Sequence, residues 1–186
     1  MPSINDYRTN LQRAIAELRA NRKAETTLIM HDELALIKSR VVESGQTAEG
    51  GSFGKYSEAV VPYWFHGSNL KNADFNVKNK QKELLKKKGY FSSYKDWREI
   101  NGRPTAVKNF SFTNEMMEGI EPMVLDDGND STTYEFGSDN KDVQDKVNWN
   151  KGRDGDFLKQ SAGERELITK LNRQRVFKVL DKYDIV

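Results

Sequence analysis

The glycine-rich segment Gly45 to Tyr56 has the residues of a phosphate cradle without their spacing. A nucleotide-binding loop needs glycine five places before Gly54, where Glu49 stands, and Ser or Thr after Lys55, where Tyr56 stands. No predicted strand leads into it, so a flexible loop over 45–58 is expected. The only histidines are His31 and His66. His31 lies next to Asp32 and Glu33 in a helical stretch, and adjacent residues do not share a helix face. The run Asp126-Asp127-Gly128-Asn129-Asp130 lacks the ligand spacing and distal Glu of a calcium loop and reads as a turn. The absence of cysteine excludes disulfides, thiolate metal sites and Cys nucleophiles. No catalytic set, cofactor or metal is expected, and an enzyme would have to rest on His31 or His66.

The elements around these residues are easier to read. Ser3 with Asp6 forms a capping box, after which Ile4, Tyr7, Leu11, Ile15 and Leu18 fall within about 80° of one another on a helix. So narrow a seam predicts a helix resting on one neighbour. A second stretch, about Glu25 to Glu43, carries Met30, Leu34, Ile37 and Val41 on one face and Leu28, Ile29 and Leu36 on another. The two form one long helix or a helical hairpin, with Asn21 to Thr27 as the candidate break. Further along, Asn79 to Lys88 reads as a lysine-rich helix and Tyr94 to Ile100 as a helix capped by Ser92 or Ser93. Asn101-Gly102 stops that helix, and Pro104 then forces extended backbone. Val107 to Phe112 alternates as a strand, and Thr113 caps a short helix through Ile120. Pro122 to Leu125 and Thr132 to Phe136 form a hairpin, Asp139 to Trp149 a helix, and Ala162 to Lys182 the last helix. Asn172 and Arg175 interrupt that helix's apolar arc.

The expected fold is α+β, a long N-terminal helix or helical hairpin and a C-terminal helix packed on a small antiparallel sheet drawn from about Val60 to Phe136. At 186 residues, 36% apolar and 31% charged, the chain reads as a single domain with a large solvated or partner-covered surface. Its parts are a helical region (1–44), the flexible loop (45–58) and an α+β body (59–186). No run approaches a membrane span and no signal-peptide pattern opens the chain, so a cytosolic start without a membrane partner is expected.

A net charge of +2 conceals strong local imbalance. Lys78 to Arg103 carries nine basic and three acidic residues, Thr113 to Asp142 one basic and nine acidic, and Lys151 to Lys182 nine basic and five acidic. Patches of opposite sign let identical subunits meet head to tail. The expected contact residues are Lys55 and Tyr56 in the loop, Lys86, Lys87, Lys88, Arg98 and Arg103 in the basic segment, and Glu115 and Glu118 in the acidic one. The alternative is a nucleic-acid-binding protein using region 78–103, which requires Tyr90, Phe91, Tyr94 and Trp97 to be exposed for stacking.

The order of several weak motifs resembles the phage tail-completion and virion-morphogenesis neck (head–tail connector) proteins. Lys38-Ser39-Arg40 and Ser44-Gly45 lead into Gly50-Gly51-Ser52-Phe53-Gly54-Lys55-Tyr56-Ser57. Tyr94-Lys95-Asp96-Trp97-Arg98-Glu99, Gly102-Arg103-Pro104-Thr105, Phe112-Thr113-Asn114-Glu115-Met116 and Phe157-Leu158-Lys159-Gln160-Ser161-Ala162-Gly163-Glu164 follow in order. The likeness runs from about Lys38 to the C-terminus with a lysine-rich insertion near Asn76 to Lys88, and it departs at Asn114, where glycine is usual. It implies a non-enzymatic virion structural protein, made in the host cytoplasm, that forms a six- or twelve-fold homo-oligomeric ring at the head–tail junction. The implied partners are portal, adaptor or tail proteins and DNA passing through the channel. The 45–58 loop is then expected to be disordered in the free chain and to order against a partner.

Overall fold

Ser3 starts the longest element of the chain. Its hydroxyl accepts from the Asp6 amide at 3.2 Å while the Asp6 carboxylate accepts from the Ser3 amide at 2.8 Å, the reciprocal cap expected from the sequence. The computed structural model describes residues 3–62, 89–91, 93–100, 105–106, 108, 115–128 and 131–185. Helix α1 (Ile4–Ser39) is continuous through Asn21 to Thr27, so the hairpin alternative falls away. Polar residues there lie on a surface helix, and Thr27 satisfies its hydroxyl on the Lys23 carbonyl. The helix widens into a π turn (Arg40–Ser44) and stops at Gly45, whose φ of 60° favours glycine.

The remaining elements are β1 (Val61–Pro62), β2 (Tyr90–Phe91), α2 (Tyr94–Ile100), α3 (Glu115–Glu118), β3 (Glu121–Asp127), β4 (Thr132–Gly137), α4 (Lys141–Asp154) and α5 (Ala162–Lys182). The architecture is α+β, as expected. Among the described residues the strands form two separate antiparallel ladders, β1–β2 and β3–β4, rather than one sheet from Val60 to Phe136. Ser93, rather than Ser92, is seen to cap α2, its hydroxyl accepting from the Asp96 amide. The expected Asn79 to Lys88 helix, the Gly102 stop, the Thr113 cap and most of the Val107 to Phe112 strand lie outside the described residues.

The core gathers at the C-terminal end of α1. Leu34, Ile37 and Val41 meet Phe53, Met116, Met117 and Ile120, the α4 residues Val143 and Val147, and the linker pair Phe157 and Leu158. Phe53 explains why the glycine-rich segment is more closely held than an open loop. Its burial draws the chain back after Gly45, where the Thr47 amide donates to the Gly51 carbonyl at 2.7 Å and Gln46 bridges Ser52.

Helix α5 runs antiparallel to α1, and ion pairs mark the register: Arg40 with Glu164, Arg175 with both Asp32 and Glu25, and Lys182 with Glu17. Arg175, which interrupts the apolar arc, thus spans the two helices. The β3–β4 hairpin lies along another side of α1. Arg22 donates to Asp127 and Thr132 near its turn, and the Tyr134 hydroxyl donates to the buried Glu33 carboxylate at 2.5 Å. Burial and that carboxylate push the Tyr134 phenol well above its ordinary range. Tyr134→Phe should cost about 1–3 kcal/mol in urea unfolding, because Glu33 loses a donor it cannot replace with water. A loss below the error of the measurement would contradict that role.

Candidate functional site

Helix α1 outruns its partners. The end of α5 reaches Glu17, where Lys182 and Tyr183 both donate to one carboxylate oxygen. The hairpin turn reaches Arg22. The N-terminal seam expected to rest on a neighbour is open chiefly at its start: Ile4 is 89%, Tyr7 49% and Ile15 41% exposed, whereas Leu11 and Leu18 are half-buried and Ala14 is fully buried. From Ile4 to Ala16 the helix extends about 20 Å beyond its last ion pair with α5. Arg8 and Arg13 are exposed on the same segment, as is Asp6, and Arg19 is exposed just after it.

A second apolar spot lies on β3. A register shift between Val124 and Asp126 breaks strand alternation, and both Val124 and Leu125 stay more than half exposed. Glu121, Asp126 and Glu135 are exposed on the same hairpin, with Val124 paired to Tyr134 and Glu135 to Met123, so successive positions alternate between its two faces.

The expected contact residues do not form one surface. Lys55 is exposed, while Tyr56 is half-buried with its ring centroid 5.9 Å from that of Tyr94. Arg98 was expected on an assembly face, yet it is 1% exposed, its guanidinium carbon 4.7 Å from the Tyr56 centroid. The reason is helical spacing. Arg98 lies four residues after Tyr94 and next to the equally buried Trp97, and its planar cation stacks on an aromatic face where an ammonium would remain solvated. With Trp97 buried and Tyr94 half-buried, these aromatics are not presented to a nucleic-acid base. Glu115 is exposed with the Lys146 ammonium 3.6 Å away. Exposed Glu118 acts on Lys38: burial pushes that ammonium below the ordinary lysine range, while Glu121 and Glu118 oppose the shift. Lys86, Lys87, Lys88 and Arg103 lie outside the described residues, as does His66; His31 is exposed on α1.

Arg40 matters more than the sequence suggests. Its Nε donates to Glu164 at 2.8 Å, Nη1 to the Gln46 carbonyl at 2.7 Å, and Nη2 to the Lys159 and Phe157 carbonyls at 2.8 and 3.3 Å. One side chain thereby joins α1, the glycine-rich segment, the α4–α5 linker and the cap of α5. The only hint in the sequence was Arg40's place just before that glycine-rich stretch.

Among the described residues no group of three or more His, Asp or Glu side chains converges to hold a metal, and no helix is long and apolar enough to cross a membrane. What the arrangement offers is several exposed apolar side chains, among them Ile4 and Tyr7 on α1, Val124 and Leu125 on β3, Trp149 on α4 and Phe177 on α5. Comparison with protein-family models, curated proteins and solved structures found no match.

Proposed function

We propose that the chain is a non-enzymatic structural subunit of a tailed bacteriophage that forms an oligomeric ring at the head–tail junction. The supporting observation is the start of α1, where Ile4 and Tyr7 are left exposed by the chain's own elements while Leu11 is half-buried and Ala14 fully buried. Such a surface is characteristic of a subunit completed by its neighbours. The order of motifs from Lys38 to Glu164 directs the reading to a head–tail connector. The segment Gly54 to Val60, exposed except at Tyr56 and tied back where the Tyr94 amide donates to Ser57, offers Lys55 to a neighbouring component.

The test combines sedimentation velocity with negative-stain electron microscopy, on the purified chain alone and mixed with rings of the cognate portal protein. Monomers or small oligomers are expected alone, and closed rings stacked on the portal in the mixture. A chain that stays monomeric at high concentration and leaves portal rings undecorated would overturn the reading.

A further inference from the structure

We propose that the outer face of α5 binds single-stranded nucleic acid, with Arg165, Lys170 and Arg173 on its phosphates and the Phe177 ring stacked on a base. The site goes beyond the assembly reading above and does not depend on it.

The fold sorts the charges of the third imbalanced segment, Lys151 to Lys182, onto two sides of α5. At 100° per residue Glu164, Ile168, Leu171, Arg175 and Lys182 fall within about 60° of one another. That side packs on α1, where Glu164, Arg175 and Lys182 each hold an ion-pair partner. Arg165, Lys170, Arg173 and Phe177 fall within about 140° on the opposite side, and all four are exposed. None of these three cations makes an ion pair among the described residues. They line an open groove of about 710 Å³, along which Glu166 is the one carboxylate among the described residues. Phe177 lines it too, 54% exposed, one turn after Arg173. From Arg165 to Phe177 the row runs about 18 Å. Cations in a row attract any polyanion, and the ring beside them selects among polyanions. A nucleic-acid strand carries a flat base for every phosphate, whereas an acidic peptide gives the ring no face to stack on. A duplex keeps its bases stacked on one another, so the single strand is the form that fits.

The test follows the fluorescence anisotropy of a labelled oligothymidylate of about 16 nucleotides with the whole, free chain. Between about 50 and 200 mM salt, the logarithm of the binding constant should fall against that of salt with a slope of about −2, as for three neutralised phosphates of a single strand. Arg165→Gln, Lys170→Gln and Arg173→Gln in one chain should bring that slope close to zero. The matched triple on α1, Arg8→Gln, Arg19→Gln and Lys23→Gln, should leave it unchanged. Phe177→Ala should weaken binding about tenfold without altering the slope, and Glu166→Gln should tighten it. Circular dichroism checks that each variant is folded. No binding at about 50 mM salt would overturn the site. So would an α1 triple that flattens the slope as far as the α5 triple, or a Phe177→Ala chain that binds like the wild type. Tighter binding of a duplex of the same length would overturn the single-strand assignment. Displacement by polyglutamate as readily as by unlabelled strand would make the face a site for acidic protein and overturn the nucleic-acid assignment. All of these are read on the free chain, so none bears on ring formation.

Discussion

Arg40→Met should lower the unfolding free energy by about 3–5 kcal/mol, the range for breaking one side of a buried ion pair. The substitution keeps much of the aliphatic stem and removes every donor. Glu164, 9% exposed, would keep its charge and lose its cation, and the Gln46, Phe157 and Lys159 carbonyls would each lose a donor. Arg40→Lys should fall between, because an ammonium cannot reproduce a fork that reaches four acceptors. Adding Glu164→Gln to Arg40→Met should recover part of the loss, since the two residues share one interaction.

The acid response carries a definite sign. Burial acts to raise the Glu164 carboxyl, but the Ser161 amide and hydroxyl and the Arg40 guanidinium hold it below the ordinary range. A carboxylate lowered in the folded state stabilises the fold above its unfolded pKa, and that contribution is lost as pH falls through the folded value. The gap between wild type and Arg40→Met should therefore narrow as pH drops below about 4.3. Urea melts at neutral and acidic pH measure both effects. A neutral-pH loss under about 1 kcal/mol would show that the four contacts are not worth a buried pair.

Phe157→Ala should cost a similar amount, about 3–5 kcal/mol, by leaving a cavity where a buried ring had been. Phe157 is 1% exposed and packs into the cluster that contains Ile120, Val147 and Leu158. Its backbone carbonyl also faces the Arg40 guanidinium, so the ring fixes one of the acceptors the fork requires. Phe157→Leu should lose less because more of the volume is kept. Combining Phe157→Ala with Arg40→Met should give a loss that departs from the sum of the two, since one backbone atom belongs to both. Strict additivity would mean that the ring and the fork act independently.

Local chemistry was readable in the chain. The Ser3–Asp6 box, the bounds of α5 and the β3–β4 hairpin are short-range effects, in which the sequence contains both partners within a few residues. The face of Met30, Leu34, Ile37 and Val41 is buried as its periodicity indicates. Long-range facts were not readable. The periodicity of Ile4, Tyr7, Leu11, Ile15 and Leu18 is real, but a pattern shows which side wants a neighbour and not how far along it the chain supplies one: Leu11 and Leu18 are half-buried, Ile4 and Tyr7 exposed. Arg98 was assigned outward by its charge and lies inward because Tyr56, 42 positions away in sequence, offers it a ring. Phe53 anchors a segment whose glycines suggested freedom. The acidic segment was visible as composition, whereas the exposure of Val124 and Leu125 accompanies a register shift that no local motif announces.

The unbroken course of α1 has a mechanical consequence. Its 36 residues make a rod about 54 Å long with no hinge between the exposed tip and the π turn. At the far end the rod is clamped by Arg40 to the glycine-rich segment and to the cap of α5. A load applied at Ile4 is therefore borne first by the Glu17 and Arg22 contacts and then shared along the rod with Asp32, Glu33 and Arg40. The hairpin and α5 thus brace one straight rod at successive points, so that displacing any one of them strains the others.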